Sequence, residues 1–306
     1  MSAARRVVSG PRAFRRRLRR AARLPALAVW TLLVAPWTWV LALFGDGTTR
    51  LRGRIFRVWC RGVTAILDLR VRVLGAPPAA PFFLVSNHLG YLDIVTLGSV
   101  LPAVFVSKAE VARWPVMGVL AKGVNTVFVD RGRRRDLTRV NARLDALLDR
   151  AEGVVVFPEG TSTAGGGVLP FRPGLLEPAV RRRRAGSHAA LAYVTAPGEP
   201  PASQAVCWWG DMTFGPHFLG LLGLAGLEAT IRFGGQPLWD ADRRRLAERL
   251  QRAVVQDHRT LAPDGQLDAP DDAVPPAPHT ARPALRPAGT APPPLTDPDP
   301  CTASRT

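Results

Sequence analysis

Apolar residues repeat along this chain with two periods, and stretches of the two kinds alternate. Short runs of apolar and β-branched residues have the length and composition of buried strands. Longer stretches, at 135–150 and 240–256, repeat apolar residues every three to four positions, as an amphipathic helix does. The second of these helices has Asp240 or Asp242 as its expected N-cap. The predicted strands are 70–74, 81–86, 103–107, 125–129, 153–157, 189–195, 204–209 and 228–233.

This alternation predicts an α/β fold with a mostly parallel central sheet that is flanked by helices on both faces. We assign residues 69–260 to this domain. The last 45 residues contain twelve prolines, and the stretch cannot bury enough apolar surface to offset the loss of chain entropy on ordering. We therefore predict a disordered, proline-rich tail over 261–306.

The N-terminal part of the chain combines positive charge with a long apolar run. Residues 1–24 hold nine arginines and no acidic residue. The uncharged stretch 25–44 has about the 20 residues that a helix needs to cross a bilayer, although Pro36 would kink it. In 50–67, apolar residues at helical spacing alternate with arginines, as in a helix that lies on anionic lipid or packs on the domain surface.

We predict a basic cytoplasmic arm over 1–24 and a membrane anchor over 25–68. The pattern leaves open whether 25–44 spans the bilayer or enters it as a kinked pair with 50–67. Arginines upstream of an apolar segment hold the N-terminus in the cytoplasm by the positive-inside rule. The sequence therefore predicts a protein of the cell membrane, with its α/β domain on the cytoplasmic side.

The formal net charge of +17 indicates an anionic partner. A nucleic-acid binder would interleave basic and aromatic residues on its folded domain, whereas the basic excess here is concentrated in residues 1–72, beside the apolar run. We therefore expect anionic membrane lipids as partners and no nucleic acid. The cysteines, Cys60, Cys207 and Cys301, have neither the spacing of a disulfide framework nor that of a metal site, which favours a reducing compartment.

The stretch "FFLVSNHLGYLD" carries the first candidate for chemistry. His88 follows directly on a predicted strand, where ligand sites of open α/β sheets gather. Asp93 can reach the imidazole only if the four intervening residues turn back, which Gly90 makes feasible. An imidazole beside a carboxylate is the usual general base for an alcohol. The alternative is that Asn87 caps the next helix and His88 has no catalytic role.

Two further polar segments follow predicted strands. In "VFPEGTSTAGGGVLPFRPG", loop N–H groups with Thr161 and Arg172 could hold an anion, although the lysine and spacing of a P-loop are missing. A plain flexible turn is the alternative. In "GVNTVFVDRG", Arg131 stands at a strand end, and its planar guanidinium would suit a phosphate.

Taken together, these segments resemble the glycerolipid acyltransferases, the family of the 1-acylglycerol-3-phosphate acyltransferases and their relatives. Three ordered motifs, with one further short match after the third, carry the resemblance, which covers roughly residues 70–240. The matching blocks are N-H-x4-D at 87–93, a glycine at Gly123 with apolar-Phe-apolar-x-Arg at 127–131, F-P-E-G-T at 157–161 and F-[KR]-x-G at 171–174.

The chain departs from the family pattern in two places. Ser162 stands where the family usually has an arginine after the threonine, and His188 stands where the fourth block normally has a proline. The segment "WWGDMTFGPHF" resembles a subgroup that includes lyso-ornithine lipid acyltransferases. These departures keep the acceptor open.

The resemblance implies a glycerol-3-phosphate acyltransferase-like fold and a reaction. A fatty acyl group would pass from acyl-CoA or acyl carrier protein to the free hydroxyl of 1-acyl-glycerol-3-phosphate, giving phosphatidic acid. The alternative acceptors are lyso-ornithine lipid and other lysolipids. Neither a metal nor a cofactor beyond the thioester co-substrate is expected. The implied roles are His88 as general base, Asp93 as its orienting carboxylate, Asn87 as a supporting residue, and Arg131, Glu159, Gly160, Thr161 and Arg172 as the acceptor site.

A hypothesis from a different class is a non-catalytic, basic membrane-binding protein. It accounts for the N-terminal arginines and the apolar run but not for three ordered motifs at strand ends.

Overall fold

A seven-stranded sheet lies at the centre of the computed structural model, which describes residues 10–130 and 133–261. The strands are β1 Leu69–Leu74, β2 Phe82–Ser86, β3 Val104–Lys108, β4 Val127–Val129, β5 Gly153–Val156, β6 Gly186–Thr195 and β7 Leu227–Phe233. The α-helices in these ranges are α1 Pro11–Ala42, α2 Thr49–Leu67, α3 Leu92–Val100, α4 Met117–Gly123, α5 Arg134–Asp149, α6 Glu177–Arg181, α7 Ala202–Ala205, α8 Phe214–Leu222 and α9 Arg243–Arg259. Short 3-10 helices occupy Asp46–Thr48, Ala109–Arg113 and Pro173–Leu176.

The strand order across the sheet is β1-β7-β6-β2-β5-β3-β4. Every neighbouring pair is parallel except β6 and β7. The predicted mostly parallel sheet is therefore confirmed. In this topology β2 and β5 are adjacent central strands, so the loops that follow them meet at one edge of the sheet.

Alternate residues of the central strands enter two separate cores. In β2, Phe82 and Leu84 face a core beneath α2 and α3, whereas Phe83 and Val85 face a core beneath α5 and α9. All four side chains are at most 4% exposed, as expected for a parallel strand covered on both faces. The sheet thus separates a face that carries α1 and α2 from a face that carries α5 and α9.

One predicted strand, 204–209, is wrong. Its first residues end α7, and the rest form an irregular segment in which the N–H of Trp208 donates to the carbonyl of Leu89. Its apolar side chains cover the core from a loop, and periodicity alone cannot distinguish such a run from a buried strand. The helix predicted at 240–256 begins at Arg243, and its N-cap is Asp242, whose side chain accepts from the N–H groups of the second and third helical residues.

The N-terminal helix is longer than the sequence pattern predicts. α1 begins at Pro11 and includes much of the expected basic arm, because arginine and alanine are good helix formers. This half of α1 contacts the α/β domain. Arg16 forms an ion pair with Glu199 (Nη2–Oε2 2.5 Å), and Arg23 donates to the carbonyl of Leu224 at 2.7 Å.

The other half of α1 pairs with α2 through two tryptophans. Trp30 donates its indole N–H to the carbonyl of Trp59 at 3.0 Å, and Trp59 donates to the hydroxyl of Thr31 at 3.1 Å. By length and composition α1 is apolar enough to cross a membrane. The predicted C-terminal tail, from residue 262 onward, lies outside the described residues.

Candidate active site

The turn after β2 brings His88 and Asp93 together. The Nδ1 of His88 lies 2.7 Å from Oδ2 of Asp93. The same carboxylate oxygen accepts the backbone N–H groups of Leu89 at 2.6 Å and of Gly90 at 3.0 Å. These bonds close the turn that the spacing requires. Gly90 has a φ of 156°, and a Cβ there would lie 2.9 Å from the backbone nitrogen of Trp208, so a larger residue does not fit.

The second oxygen of Asp93 is also occupied. Tyr193, on β6, donates its hydroxyl to Oδ1 of Asp93 at 3.0 Å, and its own oxygen lies 3.0 Å from Oγ1 of Thr96. Asp93 is fully buried and Tyr193 is 6% exposed. A carboxylate buried to this extent is costly unless it is hydrogen-bonded, and four donors compensate Asp93.

His88 presents one ring nitrogen to the outside. Because Asp93 accepts the Nδ1–H bond, the neutral ring carries its lone pair on Nε2. The ring stacks on Phe157 with centroids 4.2 Å apart and planes 19° apart. Its side chain remains 23% exposed. The ring is therefore fixed in orientation and still accessible to a substrate.

Glu159 joins the two loops at the end of the sheet. Its Oε1 accepts the N–H of His88 at 2.7 Å and its Oε2 accepts the N–H of Leu169 at 2.9 Å. The residue is 2% exposed. Burial raises the pKa of Glu159 to about 8, against the opposing effect of the two N–H donors. The predicted contact of Glu159 with the acceptor stays a prediction, since it requires one of these bonds to be shared.

Asn87 does not cap α3, whose N-cap residue is Tyr91. Its side chain instead continues the sheet: Nδ2 donates to the carbonyl of Leu191 at 2.9 Å, and Oδ1 accepts the N–H of the same residue at 2.8 Å. This pair of bonds anchors the residue before His88 to β6. The turn from Asn87 to Asp93 is thereby held to the sheet at both ends.

The remaining predicted residues lie around the loop after β5. Gly160 has a φ of 80° and closes a turn on Phe157, and Thr161 follows half-buried. The backbone N–H of Arg172 donates to the carbonyl of Pro158 at 2.9 Å, while its side chain is exposed. Arg131, the predicted phosphate clamp, lies outside the described residues.

The roles of Tyr193 and Trp208 were not predicted from the sequence. On β6, Ala189, Leu191 and Tyr193 alternate into one core, and this alternation is the signal that could have indicated that Tyr193 points inward. Trp208 connects the loops after β2 and β5 through its backbone. Its N–H donates to the carbonyl of Leu89 at 2.8 Å, and its carbonyl accepts the hydroxyl of Ser162 at 2.5 Å.

Both the sequence and the fold are similar to those of known lipid acyltransferases. A family model described as Acyltransferase matches residues 70–188. A lyso-ornithine lipid O-acyltransferase of Brucella abortus is 31% identical over 243 residues, which are 75% of this chain and 90% of the relative. This chain belongs to the acyltransferase family.

The relatives of this acyltransferase are named for two acceptors. A lyso-ornithine lipid O-acyltransferase of Pseudomonas aeruginosa is 38% identical over 58% of this chain and 69% of the relative. A 1-acyl-sn-glycerol-3-phosphate acyltransferase of Neisseria meningitidis is 34% identical over 56% of this chain and 66% of the relative. The crystal structure of the acyltransferase PlsC from Thermotoga maritima has the same fold, with a TM-score of 0.60 and 17% identity over 82% of this chain and 97% of that one.

Proposed function

We propose that this acyltransferase moves a fatty acyl group from acyl-CoA or acyl carrier protein to the free hydroxyl of a lysolipid, with His88 as general base. The observation that carries the proposal is the 2.7 Å contact between Nδ1 of His88 and the buried carboxylate of Asp93, with the imidazole still accessible. This arrangement is the one that activates an alcohol in other acyl-transfer enzymes.

In the proposed step, Nε2 of His88 takes the hydroxyl proton as the acceptor oxygen attacks the thioester carbonyl carbon. A C–O bond forms and the C–S bond breaks. The leaving thiolate then takes the proton back from Nε2, which returns the imidazole to its neutral form. Asp93 stabilises the transient imidazolium through the bond to Nδ1.

For the acceptor we favour lyso-ornithine lipid. The family resemblance had instead placed 1-acyl-glycerol-3-phosphate (lysophosphatidic acid) first. The most extensive of the alignments above is with a lyso-ornithine lipid O-acyltransferase. In addition, Ser162 uses its hydroxyl on the carbonyl of Trp208, so this position supplies no positive charge for a phosphate. An ornithine headgroup carries an amine and a carboxylate but no phosphate. Its binding therefore depends less on the arginine that Ser162 replaces.

Lysophosphatidic acid is the second candidate, because the Neisseria relative is named for 1-acyl-sn-glycerol-3-phosphate. In that case Arg131, Thr161 and Arg172 would hold the phosphate, as the family resemblance implies. For both acceptors we place the domain at the cytoplasmic surface of the cell membrane, where anionic lipids attract the N-terminal arginines.

The decisive experiment supplies radiolabelled palmitoyl-CoA or palmitoyl carrier protein to the purified enzyme with each lysolipid in turn. We expect lyso-ornithine lipid to be acylated faster than lysophosphatidic acid. The reverse order would select the second acceptor, and transfer to no lysolipid would reject the proposed function.

The variant His88→Ala should lower turnover by at least about 100-fold, the low end of a general base's contribution. The matched control is His279→Ala, the same substitution in the C-terminal stretch, which should keep full activity. Equal melting temperatures for the two variants would show that the loss is chemical. Retained turnover in His88→Ala would reject the assignment of the base.

A further inference from the structure

A cavity of about 670 Å³ lies between α5, α6 and α9, and no residue of the His88–Asp93 turn lines it. Its volume is within the range of ligand-binding pockets. The charged side chains on its wall are Glu177, Arg181, Arg243 and Arg244. The wall therefore carries three guanidinium groups and one carboxylate.

The charge in this cavity is only partly neutralised. Arg243 donates to Glu177 (Nη1–Oε2 2.9 Å), and Arg181 forms an ion pair with Asp145. The guanidinium of Arg244 makes no ion pair or side-chain hydrogen bond within residues 10–130 and 133–261, although the carboxylate of Asp242 caps the backbone N–H of this residue. An excess of guanidinium groups favours an anion, and their planar geometry fits phosphate oxygens.

The buried side-chain amide of Asn141 adds a second requirement on the ligand of this cavity. Asn141 lines the cavity and is 8% exposed. Its Nδ2 donates to the carbonyl of Gly174 at 3.1 Å, whereas its Oδ1 is buried with no hydrogen-bond partner in the described part of the chain. An unpaired buried acceptor is costly, so this oxygen is suited to a hydroxyl or N–H group of a ligand.

The position of the cavity indicates where its ligand comes from. α5 and α9 cover one face of the sheet, and the other face carries α2 together with α1, which is apolar and long enough to cross a membrane. A membrane bound through α1 and α2 would leave the cavity facing water. The wall residue Gly174 belongs to the segment of Arg172, whose N–H bonds to the loop that precedes Glu159, so cavity and active site share one short segment.

We propose that this cavity binds the phosphate- and hydroxyl-bearing carrier end of the soluble thioester donor. The inference rests on the proposed function for the identity of the donor. Phosphopantetheine, common to coenzyme A and acyl carrier protein, carries one phosphate, a hydroxyl and amide N–H groups. Coenzyme A extends this phosphate to a diphosphate and carries a further 3′-phosphate on its ribose. Arg244 and Arg243 would bind phosphate, and Oδ1 of Asn141 would accept from the hydroxyl or an amide.

The test compares Arg244→Glu with Arg252→Glu, a control with the same change of charge at another exposed position of α9. Isothermal titration would measure the binding of coenzyme A, 3′-dephospho-coenzyme A and 4′-phosphopantetheine to each purified full-length protein. We expect Arg244→Glu to weaken coenzyme A binding by at least about tenfold and Arg252→Glu to change it by less than about twofold, at equal melting temperatures.

The three ligands distinguish the part of the donor that is bound. If Arg244→Glu weakens the binding of coenzyme A alone, the cavity binds the 3′-phosphate. If it weakens the binding of all three ligands, the cavity binds the phosphopantetheine phosphate. In turnover, the KM for palmitoyl-CoA or palmitoyl carrier protein should rise while the KM for the lysolipid stays the same.

Failure of this inference is separable from failure of the proposed function. Unchanged binding of all three ligands in Arg244→Glu, with acyl transfer intact in the wild type, overturns the cavity assignment alone. Weakened binding in a protein that acylates no lysolipid supports the cavity and rejects the reaction.

Discussion

At the scale of single residues, Tyr193 is the least expected member of the site. Its hydroxyl occupies the oxygen of Asp93 that His88 does not use. In Tyr193→Phe the carboxylate loses one donor and orients His88 less firmly. A hydrogen bond to a charged group contributes about 1.5–3 kcal/mol, so we expect kcat to fall by about tenfold or more at an unchanged lysolipid KM.

A purely structural role for Tyr193 would lower the melting temperature and leave kcat unchanged wherever the variant is folded. The positioning role predicts instead a fall in kcat at an unchanged melting temperature, because the carboxylate that Tyr193 holds is the one that orients the imidazole of His88. Thr96→Val removes the neighbouring hydroxyl while leaving Tyr193 in contact with Asp93, and it should lower kcat less. An unchanged kcat in Tyr193→Phe would count against positioning.

Glu159 should make the stability of the folded protein depend on pH. Its pKa, about 8 in the folded protein against an ordinary value of 4.5, means that the folded state binds the proton more tightly. Its contribution to stability is therefore complete below pH about 4.5 and is lost as pH rises towards 8. The expected slope is at most about 1.4 kcal/mol per pH unit.

The variant Glu159→Gln has no carboxyl group and should lack this slope. Melting temperatures of the two proteins between pH 5 and 8 would test this expectation. The difference between them removes the contribution of the buried histidines, which both proteins share. We expect the wild type to lose stability relative to the variant as pH rises. Parallel curves would mean that Glu159 stays ionised throughout, held by the N–H groups of His88 and Leu169.

At the scale of elements, the sequence predicted the strands that carry the site better than the loops that complete it. Periodicity located β2 and β5, and the spacing of His88 and Asp93 required a turn that the structure contains. Periodicity could not identify Trp208, because this residue lies in an irregular segment that backbone hydrogen bonds hold in place and that has no repeating pattern. Tyr193 was not predicted for a related reason. The pattern of a buried strand shows that a side chain faces inward but not which residue it contacts.

The exposed face of α1 allows a prediction about membrane attachment. Leu32, Leu33 and Trp37 are each more than 60% exposed, on a helix that lies against the domain along much of its length. Large apolar side chains in this arrangement suit insertion into the lipid surface. Replacing all three with serine should lower vesicle partitioning by at least about 100-fold, given about 1.5–3 kcal/mol for each buried large side chain.

Flotation with anionic vesicles would measure this change. The control replaces two exposed apolar residues on strands, Val73 and Val194, with serine, which should leave partitioning within about twofold of the wild type because neither residue lies on α1. Retained flotation of the triple variant would place the attachment elsewhere in the chain.

At the scale of the whole molecule, the sheet separates two approaches to the His88–Asp93 turn. The helices α1 and α2 lie on one face and the arginine-lined cavity on the other. In the proposed function a lysolipid would therefore arrive from the membrane and its acyl donor from water, and both would be bound when His88 takes the proton. This geometry favours direct transfer in a ternary complex over a covalent acyl-enzyme.

Neither of the two cysteines in the described residues offers a thiolate that could carry an acyl group. Cys60 and Cys207 are buried, and burial raises the pKa of the Cys207 thiol, which keeps it from acting as a thiolate. Initial rates with both substrates varied should therefore give intersecting double-reciprocal lines, whereas an acyl-enzyme gives parallel lines. Incubation with radiolabelled palmitoyl-CoA alone should leave no label on acid-precipitated protein. Label that is retained by the wild type and absent from His88→Ala would contradict direct transfer, because it requires a nucleophile that His88 activates.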